Sequence, residues 1–454
     1  MLKHLRNFKL LRNPSRLSSK KLSLSKLHPM GKILFILLFI SLGVNAQNVD
    51  TTQQIVKGRR NTFAQEFKPY VIVISADGFR YDYKDIYNAE NLMKLSKKGV
   101  RAESMIPSYP SVTFPNHYTI ATGMYPSHHG LVYNQYFDRE RNATYNMGDR
   151  KAVEDGSWYH GIPLWVLAEQ QGLLSASYHF VGTEAPIENT YATYWYKFAD
   201  NIDIDRRIAT VVNWLELPEA ERPHLIMFYM SNADHAGHNY GPGANQTREA
   251  VKFIDESIGK LNAAVSKTGL PVNFIFLADH GMAAVDTVFR MDVAAKVDTS
   301  RFIARGGGTS LHIYAKDKKD IEDMYQTLKK DVVDYDVYKK ADIPAKWHYS
   351  TSDDKYNRIG DIFVVPHFPK VISSGNRRIS PGAHGFDPDI KEMHATFLAW
   401  GPAFKKKQRI PSFENVNVYP LVCQILGLTY SHDIDGKIEV LGPILKKKKS
   451  ANAR

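Results

Sequence analysis

Several short apolar runs without polar alternation constrain the fold of this 454-residue chain more than any other feature of its sequence. Because neither face of such a run is polar, each is typical of a strand buried on both sides, as in a parallel sheet. The runs cover residues 70–75, 225–230, 273–277 and 396–400. Helical patterns lie between them, over residues 89–98, 206–215 and 248–266. This alternation predicts an α/β fold in which helices cover both faces of a largely parallel central sheet.

The stretch from about residue 291 to residue 375 interrupts this alternation of strands and helices. It contains three consecutive glycines at 306–308, a strand-like segment at 310–314 and a helix-like segment at 318–330. Further strand-like pieces follow. We interpret residues 291–375 as a small α+β subdomain inserted into a single domain that spans residues 47–445.

The formal net charge of +12 comes from the two ends of the chain. Residues 1–46 contain nine Lys or Arg and no Asp or Glu, and residues 446–454 add five more cations. Residues 47–445 are close to neutral, so the basic excess indicates no nucleic-acid partner for the folded body. The basic tail 446–454 is interpreted as a solvated segment.

A 12-residue apolar run at positions 33–44 follows Lys32 and precedes the small residue Ala46. The run is short for a membrane span and has the proportions of the apolar core of a signal peptide. We therefore interpret residues 1–46 as a basic extension plus a signal peptide, with translation starting at Met30 and the mature chain near Gln47. The predicted location is periplasmic or secreted, without a stable membrane span after cleavage; the alternative is an uncleaved anchor helix.

Three of the predicted strands lead into an aspartate, at Asp77, Asp234 and Asp279. The carboxyl ends of parallel strands meet at one edge of a sheet, where ligands bind in open α/β folds. Three carboxylates at one edge repel one another unless a cation lies among them. The sequence therefore predicts a cation site at this edge.

Histidines near these aspartates complete a set of metal ligands. His280 is adjacent to Asp279, His238 follows Asp234 by four residues, and His384 lies between two glycines. The single cysteine, Cys423, excludes a disulfide and a cysteine-based metal site. Carboxylate and imidazole ligands suit Zn²⁺, with Mn²⁺ or Fe as alternatives.

A candidate nucleophile, Thr113, stands where a helix is predicted to begin. Pro115 lies within the first turn of this helix, a position that proline favours. A hydroxyl at a helix N-terminus is close to unpaired N–H groups, which favour an alkoxide and a phosphate. Thr113 could equally be a helix cap, and a bound metal is required to make its hydroxyl reactive.

These residues occur within a series of motifs in a fixed order. The motifs are Asp77-Gly78, Thr113-Phe114-Pro115-Asn116-His117, His129-Gly130 with Asn134, Asp234-x-x-x-His238, Asp279-His280-Gly281 and His384-Gly385. The series resembles the nucleotide pyrophosphatase/phosphodiesterase family of the alkaline phosphatase superfamily, over about residues 68–427. The resemblance implies an alkaline-phosphatase-like three-layer α/β/α sandwich, with a phosphodiesterase catalytic domain at 47–445.

The resemblance also implies roles for individual residues around two Zn²⁺ ions. Asp234, His238 and His384 would hold one zinc. Asp77, Asp279, His280 and the Thr113 hydroxyl would hold the other. Asn134 would donate to a phosphate oxygen, and Phe114 would stack on a nucleoside, with Tyr194 as a second aromatic candidate. The remaining histidines near the motifs are interpreted as structural or supporting residues, namely His117, His128, His129, His235 and His394.

The activity implied is hydrolysis of nucleotide pyrophosphates or phosphodiesters to nucleoside monophosphates through a covalent phospho-threonine. Residues 181–185, Val-Gly-Thr-Glu-Ala, differ from the Trp-Pro-Gly-Ser-Glu-Ala of many relatives, so the substrate stays open. The alternatives at the same site are a phosphomonoesterase, a phosphonoacetate hydrolase and a phosphodiesterase for choline-type lipids. A non-enzymatic binder on the same scaffold is a third hypothesis, and the complete ligand set argues against it. The expected partner is a small molecule, and the oligomeric state is undetermined.

Overall fold

The computed structural model describes residues 51–447, apart from positions 331, 374, 376, 377 and 432. The predicted basic extension and signal peptide at 1–46 lie outside the described residues. Of the basic tail 446–454, Lys446 and Lys447 are described. The backbone N–H of Lys446 donates to the Ala403 carbonyl, so the start of the tail is tied to the folded body.

The centre of the molecule is a nine-stranded sheet. Its strands, from one edge to the other, are Gln53–Ile55, Tyr194–Tyr196, Ser175–Tyr178, Leu225–Met230, Tyr70–Ala76, Val272–Leu277, Phe397–Trp400, Val100–Ala102 and Gln408–Ile410. Every residue of Tyr70–Ala76, Leu225–Met230 and Val272–Leu277 is buried, which agrees with apolar runs that have no polar face. The sheet confirms the four predicted strands.

The direction of one strand in this sheet differs from the prediction. The five strands from Tyr194–Tyr196 to Val272–Leu277 are parallel, but Phe397–Trp400 runs antiparallel to Val272–Leu277. The prediction that 396–400 is a parallel strand is therefore wrong. An apolar run indicates burial on both faces and contains no information about direction, which depends on the path of the preceding chain.

Helices cover both faces of this sheet. The helix Asn245–Ser266 contacts three helices of one group, Glu90–Lys98, Ile204–Leu215 and Asn232–Tyr240. The helix Val418–Leu426 contacts Thr113–Thr122 and Leu164–Gln170 in the other group. The predicted helices at 89–98, 206–215 and 248–266 are confirmed within three residues at their ends. The other helices are Tyr83–Ile86, Pro126–His129, Arg150–Val153, Ile321–Lys330 and Ile438–Leu441.

A second sheet lies within residues 291–375, the stretch that interrupts the alternation of strands and helices in the sequence. Its four antiparallel strands are, in order, Phe302–Gly307, Ser310–Ala315, Ile362–Pro366 and Tyr335–Lys339. Helix Ile321–Lys330 packs on this sheet, and residues between Met291 and Ile372 form a separate buried apolar cluster. Other side chains of the same stretch, such as Trp347 and Phe363, belong to the main core, so an inserted subdomain at about 291–375 stays a prediction.

Three pairs of short strands complete the secondary structure. They are Met105–Ile106 with Phe413–Glu414, Gln135–Asp138 with Ala143–Asn146, and Ala283–Ala284 with Gly382–Ala383. The last pair connects the loop after Asp279 to the segment before His384. Within residues 51–447, no described helix has both the length and the apolar composition needed to cross a bilayer.

Candidate metal centre

The three aspartates reach one edge of the central sheet because their strands are parallel neighbours. Asp77 directly follows Tyr70–Ala76, Asp279 follows Val272–Leu277, and Asp234 lies in the first turn of the helix after Leu225–Met230. The backbone N–H of Asp234 donates to the Asp77 carbonyl over 3.0 Å. The carboxyl ends of these strands therefore bring the three side chains together, as the sequence predicts.

Gly78 makes this close approach of two chain segments possible. Its φ is +66°, and a Cβ atom added there would lie 3.0 Å from the Asp234 Cα. Real Cβ atoms rarely come so near to backbone, and a positive φ is costly for other residues. The motif Asp77-Gly78 thus combines a charged side chain with the turn that places it beside Asp234.

One group of ligand atoms consists of buried Asp77, Asp279 and His280, whose ligand atoms all lie within 4.8 Å of one another. The Nε2 atom of His280 is 2.9 Å from Asp279 Oδ2 and 3.5 Å from Asp77 Oδ1. The Thr113 hydroxyl oxygen is 3.2 Å from the same Nε2 atom. This is the set of residues that the family resemblance assigns to one zinc.

A second group adjoins the first and contains Asp234, His238 and His384. The Nε2 atoms of His238 and His384 lie 3.3 and 3.4 Å from Asp234 Oδ1, and 3.0 Å from each other. The ring of His280 stacks on that of His384, with 3.5 Å between the ring centroids. His280 therefore lies between the two groups and is within ligand distance of Asp234 and His384 as well.

The hydrogen bonds of the three histidines define which ring nitrogen is free. The Nδ1 atoms of His238, His280 and His384 each lie 2.9 Å from a backbone carbonyl oxygen, which can only accept. Each neutral ring therefore carries its proton on Nδ1 and directs an Nε2 lone pair into the site. Such carbonyl contacts are the usual support of histidines that bind metals.

The carboxylates also present unsatisfied acceptors to the site. Asp77 Oδ1, Asp234 Oδ1 and Asp279 Oδ2 are buried and have no hydrogen-bond partner in the described structure. Buried acceptors without donors are rare, because each loses its hydration without compensation. Lone pairs from nitrogen and oxygen that face one another in this way fit divalent cations.

The charges of the site itself disfavour ionisation of one carboxylate and protonation of one histidine. Burial, together with the charges of Asp279 and Asp234, holds the pKa of Asp77 well above its usual range. Burial and the neighbouring His280 and His238 hold the pKa of His384 well below its usual range. A bound cation would reverse the first effect, because it stabilises the ionised carboxylate.

Asn134 contacts the start of the helix that begins at Thr113. The helix Thr113–Thr122 begins at the predicted residue. The backbone N–H of Phe114 donates to Asn134 Oδ1 over 3.0 Å, which leaves the Asn134 amide group as a donor. This hydrogen bond holds the Asn134 side chain at the start of the helix that carries Thr113.

A cavity of about 250 Å³ opens beside Thr113 and Phe114, and we call it the aromatic cavity. Asp77 and Asp234 form part of its wall, together with Phe180. Its other lining residues are Met147, Gly148, Arg150, Val153, His179, Val181, Gly182, Glu184, Phe198, Tyr229 and His235. Phe114 lines this cavity, and its role beside a nucleoside stays a prediction.

Tyr194 does not line the aromatic cavity. It belongs to a buried strand of the central sheet, and its hydroxyl donates to the Glu221 carbonyl over 2.9 Å. Phe198, four residues later, lines the cavity instead, and its backbone N–H donates to the Glu184 carboxylate. The prediction that Tyr194 contacts substrate therefore has no support, because the aromatic pattern of 191–198 does not show which ring leaves the sheet.

Two further residues contact the aspartates: Tyr229 was not predicted from the sequence, and His117 was interpreted there as a structural or supporting residue. The Tyr229 hydroxyl donates to Asp77 Oδ2 over 2.6 Å from the adjacent strand. The His117 Nδ1 atom lies 3.2 Å from Asp279 Oδ2 and 3.0 Å from the Thr113 carbonyl. Tyr229 is the next-to-last residue of its strand and pairs with Ser75 of the neighbouring strand. Its position at the carboxyl end of the sheet was the signal in the sequence that could have indicated a contact with Asp77.

Comparison with known proteins identifies relatives of this chain. A family model for type I phosphodiesterase/nucleotide pyrophosphatase matches residues 71–387. A venom phosphodiesterase of Crotalus durissus collilineatus is 33% identical over 390 residues, which cover 83% of this chain and 46% of that protein. A pyrophosphatase/phosphodiesterase of Schizosaccharomyces pombe is 32% identical over 400 residues, covering 82% of this chain and 80% of that protein. This chain thus spans about half the length of the venom enzyme.

Solved structures show the same fold. Murine ectonucleotide pyrophosphatase/phosphodiesterase 5 has a TM-score of 0.77 at 26% identity, covering 83% of this chain and 100% of that one. An inactive threonine-to-alanine variant of that murine protein, in complex with AMP, has the same TM-score at 25% identity. These neighbours confirm the predicted alkaline-phosphatase-like α/β fold. The chain belongs to the type I phosphodiesterase/nucleotide pyrophosphatase family.

Proposed function

We propose that this protein is an exported phosphodiesterase with two zinc ions that releases nucleoside monophosphates from nucleotide pyrophosphates or phosphodiesters. The observation that carries this proposal is the convergence of three Nε2 lone pairs and three unpaired carboxylate oxygens beside the Thr113 hydroxyl. Family membership supports the reaction class. Thr113 is the nucleophile in this proposal.

The ligand atoms fall into two sets that fit two zinc ions. Asp77, Asp279, His280 and Thr113 would hold one ion, and Asp234, His238 and His384 the other. Zinc in such sites lowers the pKa of a bound hydroxyl group or water and neutralises charge on phosphate oxygens. The inactive threonine-to-alanine variant of the murine relative supports the role of Thr113.

In this proposal Thr113 is the attacking group, and Asn134 and Phe114 orient the substrate. Thr113 Oγ1 attacks phosphorus from the start of its helix, where the helix dipole favours a phosphate. The free amide of Asn134 donates to a non-bridging phosphate oxygen, since its carbonyl oxygen is already occupied by the Phe114 N–H. The Phe114 ring offers an apolar surface on which a nucleobase would stack, with Phe180 and Phe198 in the same cavity.

Export of the protein is part of the proposal. The apolar run at 33–44 and the small residue Ala46 are typical of a cleavable signal peptide. Relatives include venom enzymes and proteins named as ectoenzymes. We infer that the mature chain works in the periplasm or outside the cell.

A comparison of two chromogenic esters tests the proposed reaction. Zinc-loaded protein should cleave the nitrophenyl ester of thymidine monophosphate far faster than nitrophenyl phosphate, because the aromatic cavity accommodates a nucleoside. Thr113→Ala should abolish both activities, while the control Thr210→Ala on helix Ile204–Leu215 should keep them. A preference for nitrophenyl phosphate would contradict the diesterase assignment.

A further inference from the structure

Three short runs of lysine, distant from one another in the sequence, lie together at one edge of the molecule. They occupy positions 97–98, 405–407 and 446–447. An antiparallel bridge between Phe404 and Leu445 places the second run beside the third. The backbone N–H of Gln408 donates to the Gly99 carbonyl over 3.1 Å, which places the first run beside the second. We call these seven lysines the lysine patch.

The positive charge of the lysine patch is not neutralised by nearby acids. Six of the seven lysines are exposed, and no ion pair joins any of them to a carboxylate within the described part of the chain. The ammonium groups of Lys405 and Lys446 donate to the backbone carbonyls of Pro443 and Pro402. Because residues 47–445 are close to neutral overall, this concentration of cations is a local feature of the surface.

Two exposed phenylalanines adjoin the lysine patch. Phe63 and Phe67 are 77% and 72% exposed, more than any other phenylalanine that the structure describes. Their rings meet edge to face with 5.3 Å between the centroids. Phe67, Lys446 and Lys447 line one cavity of about 890 Å³, and none of its lining residues is Asp or Glu. Apolar rings and unpaired cations therefore share one surface.

This surface lies at the opposite end of the central sheet from the metal centre. Pro69, which lines the cavity, directly precedes strand Tyr70–Ala76, and Asp77 directly follows that strand. Pro271 lines the same cavity and precedes Val272–Leu277 in the same way. A strand of seven residues spans about 20 Å. A partner bound at the lysine patch therefore leaves the metal centre open to solvent.

We propose that the lysine patch, together with Phe63 and Phe67, binds the surface of a membrane that contains anionic phospholipids. Clustered lysines are attracted to the negative potential of such a surface, and aromatic rings are favoured at the level of the headgroups. Charge attraction and apolar contact add to each other in proteins that bind membranes peripherally. The sequence continues beyond the patch with three further cations, at positions 448, 449 and 454.

The exposed rings favour a membrane over a nucleic acid, the other polyanion that clustered lysines bind. Phe63 and Phe67 would gain free energy by entering the apolar boundary of a bilayer. A nucleic acid offers phosphates but no apolar layer for the rings to enter. Binding at this surface does not depend on the proposed reaction, because the surface is about 20 Å from the metal centre.

Co-sedimentation with lipid vesicles tests the proposal on the chain from Gln47 onward, which contains every described residue. The protein should bind vesicles of phosphatidylglycerol and phosphatidylcholine at least ~10-fold more tightly than vesicles of phosphatidylcholine alone. The combined variant Lys406→Gln, Lys407→Gln and Lys447→Gln should weaken binding to the anionic vesicles about 100-fold. This loss corresponds to about fivefold for each lysine near an anionic surface.

A second lysine variant controls for the change in net charge. It combines Lys318→Gln, Lys319→Gln and Lys330→Gln, which remove the same charge from exposed positions at the two ends of helix Ile321–Lys330. This variant should bind the anionic vesicles as tightly as the wild type. An equal loss in both lysine variants would overturn the proposal, because binding would then follow net charge alone.

The phenylalanines are tested separately with the same vesicles. Phe63→Ala combined with Phe67→Ala should weaken binding about 10-fold or more, because their apolar contact with the bilayer is lost. The control is Phe253→Ala, which changes an exposed phenylalanine of helix Asn245–Ser266 and should have no effect.

Two further outcomes would contradict a membrane partner. Failure of the wild type to sediment with anionic vesicles would overturn the proposal. Tighter binding to a DNA oligonucleotide than to these vesicles, unchanged by the phenylalanine variant, would assign the lysine patch to a nucleic acid instead. All of these readouts measure binding, so they are independent of whether the protein cleaves the chromogenic esters.

Discussion

Backbone carbonyls hold the Nδ1 atoms of His238, His280 and His384, so hydrogen bonds outside the site direct the Nε2 lone pair of each ring. The carboxylates are oriented by neighbouring donors in the same way, and the Tyr229 hydroxyl on Asp77 is the clearest example. Such outer contacts hold ligands at the distance a metal requires, and they contribute to affinity without touching the ion. The sequence motifs predict the ligands, whereas the carbonyls that support His238 and His384 come from distant segments of the chain.

At the residue scale, Tyr229→Phe should lower zinc affinity about 10- to 100-fold, because Asp77 loses the donor that orients it. Competition with a chromogenic chelator measures the affinity directly. The control is Tyr194→Phe, which removes a hydroxyl that bonds the Glu221 carbonyl outside the aromatic cavity. An equal loss in both variants would show that the effect is general to buried tyrosines of this sheet.

Asp234→Asn tests the ligand assignment itself with little change in side-chain shape. It should reduce bound zinc from two ions to one per chain and lower activity at least ~100-fold, because an amide is a weak zinc ligand. Elemental analysis of the dialysed protein counts the metal. Asp205→Asn, on the exposed side of helix Ile204–Leu215, serves as the control. Two zinc ions per chain in Asp234→Asn would remove Asp234 from the ligand set.

At the element scale, the turn after strand Tyr70–Ala76 decides whether two aspartates can be neighbours. Gly78→Ala adds a Cβ atom 3.0 Å from the Asp234 Cα, in addition to the cost of a positive φ. Gly269 is a matched position, with φ of +74° and no atom within 4 Å of an added Cβ. Each variant should lose about 1 kcal/mol of unfolding free energy because alanine is strained at a positive φ. Gly78→Ala should lose a further amount because its Cβ atom also comes too close to Asp234.

Urea unfolding of the zinc-free variants measures these losses, and elemental analysis reports the metal content. We expect Gly78→Ala to bind less zinc, because Asp234 must move away from Asp77, and Gly269→Ala to bind the normal amount. Equal stability of the two variants would show that the segments around Asp77 and Asp234 separate easily.

At the scale of the whole molecule, the metal centre joins three strands of the central sheet to the segment that carries His384. Removing metal leaves the carboxylates of Asp77, Asp279 and Asp234 close together with less positive charge beside them, so the folded state loses stability. Chelation with EDTA should lower Tm by roughly 5 °C or more in a scanning experiment, and added zinc should restore it. A Tm that is the same with and without metal would contradict a cation site between these segments.

The sequence by itself determined the local elements and the side chains that are candidates to bind a metal. Apolar runs define buried strands, and an aspartate after a run places a carboxylate at the carboxyl end of the sheet, as for Asp77 and Asp279. Strand direction and cavity walls were decided by the tertiary structure, as shown by the antiparallel strand Phe397–Trp400 and by Phe198 in place of Tyr194. The physical reason is that periodicity reports burial within one segment, whereas neighbours across a cavity depend on the paths of distant loops.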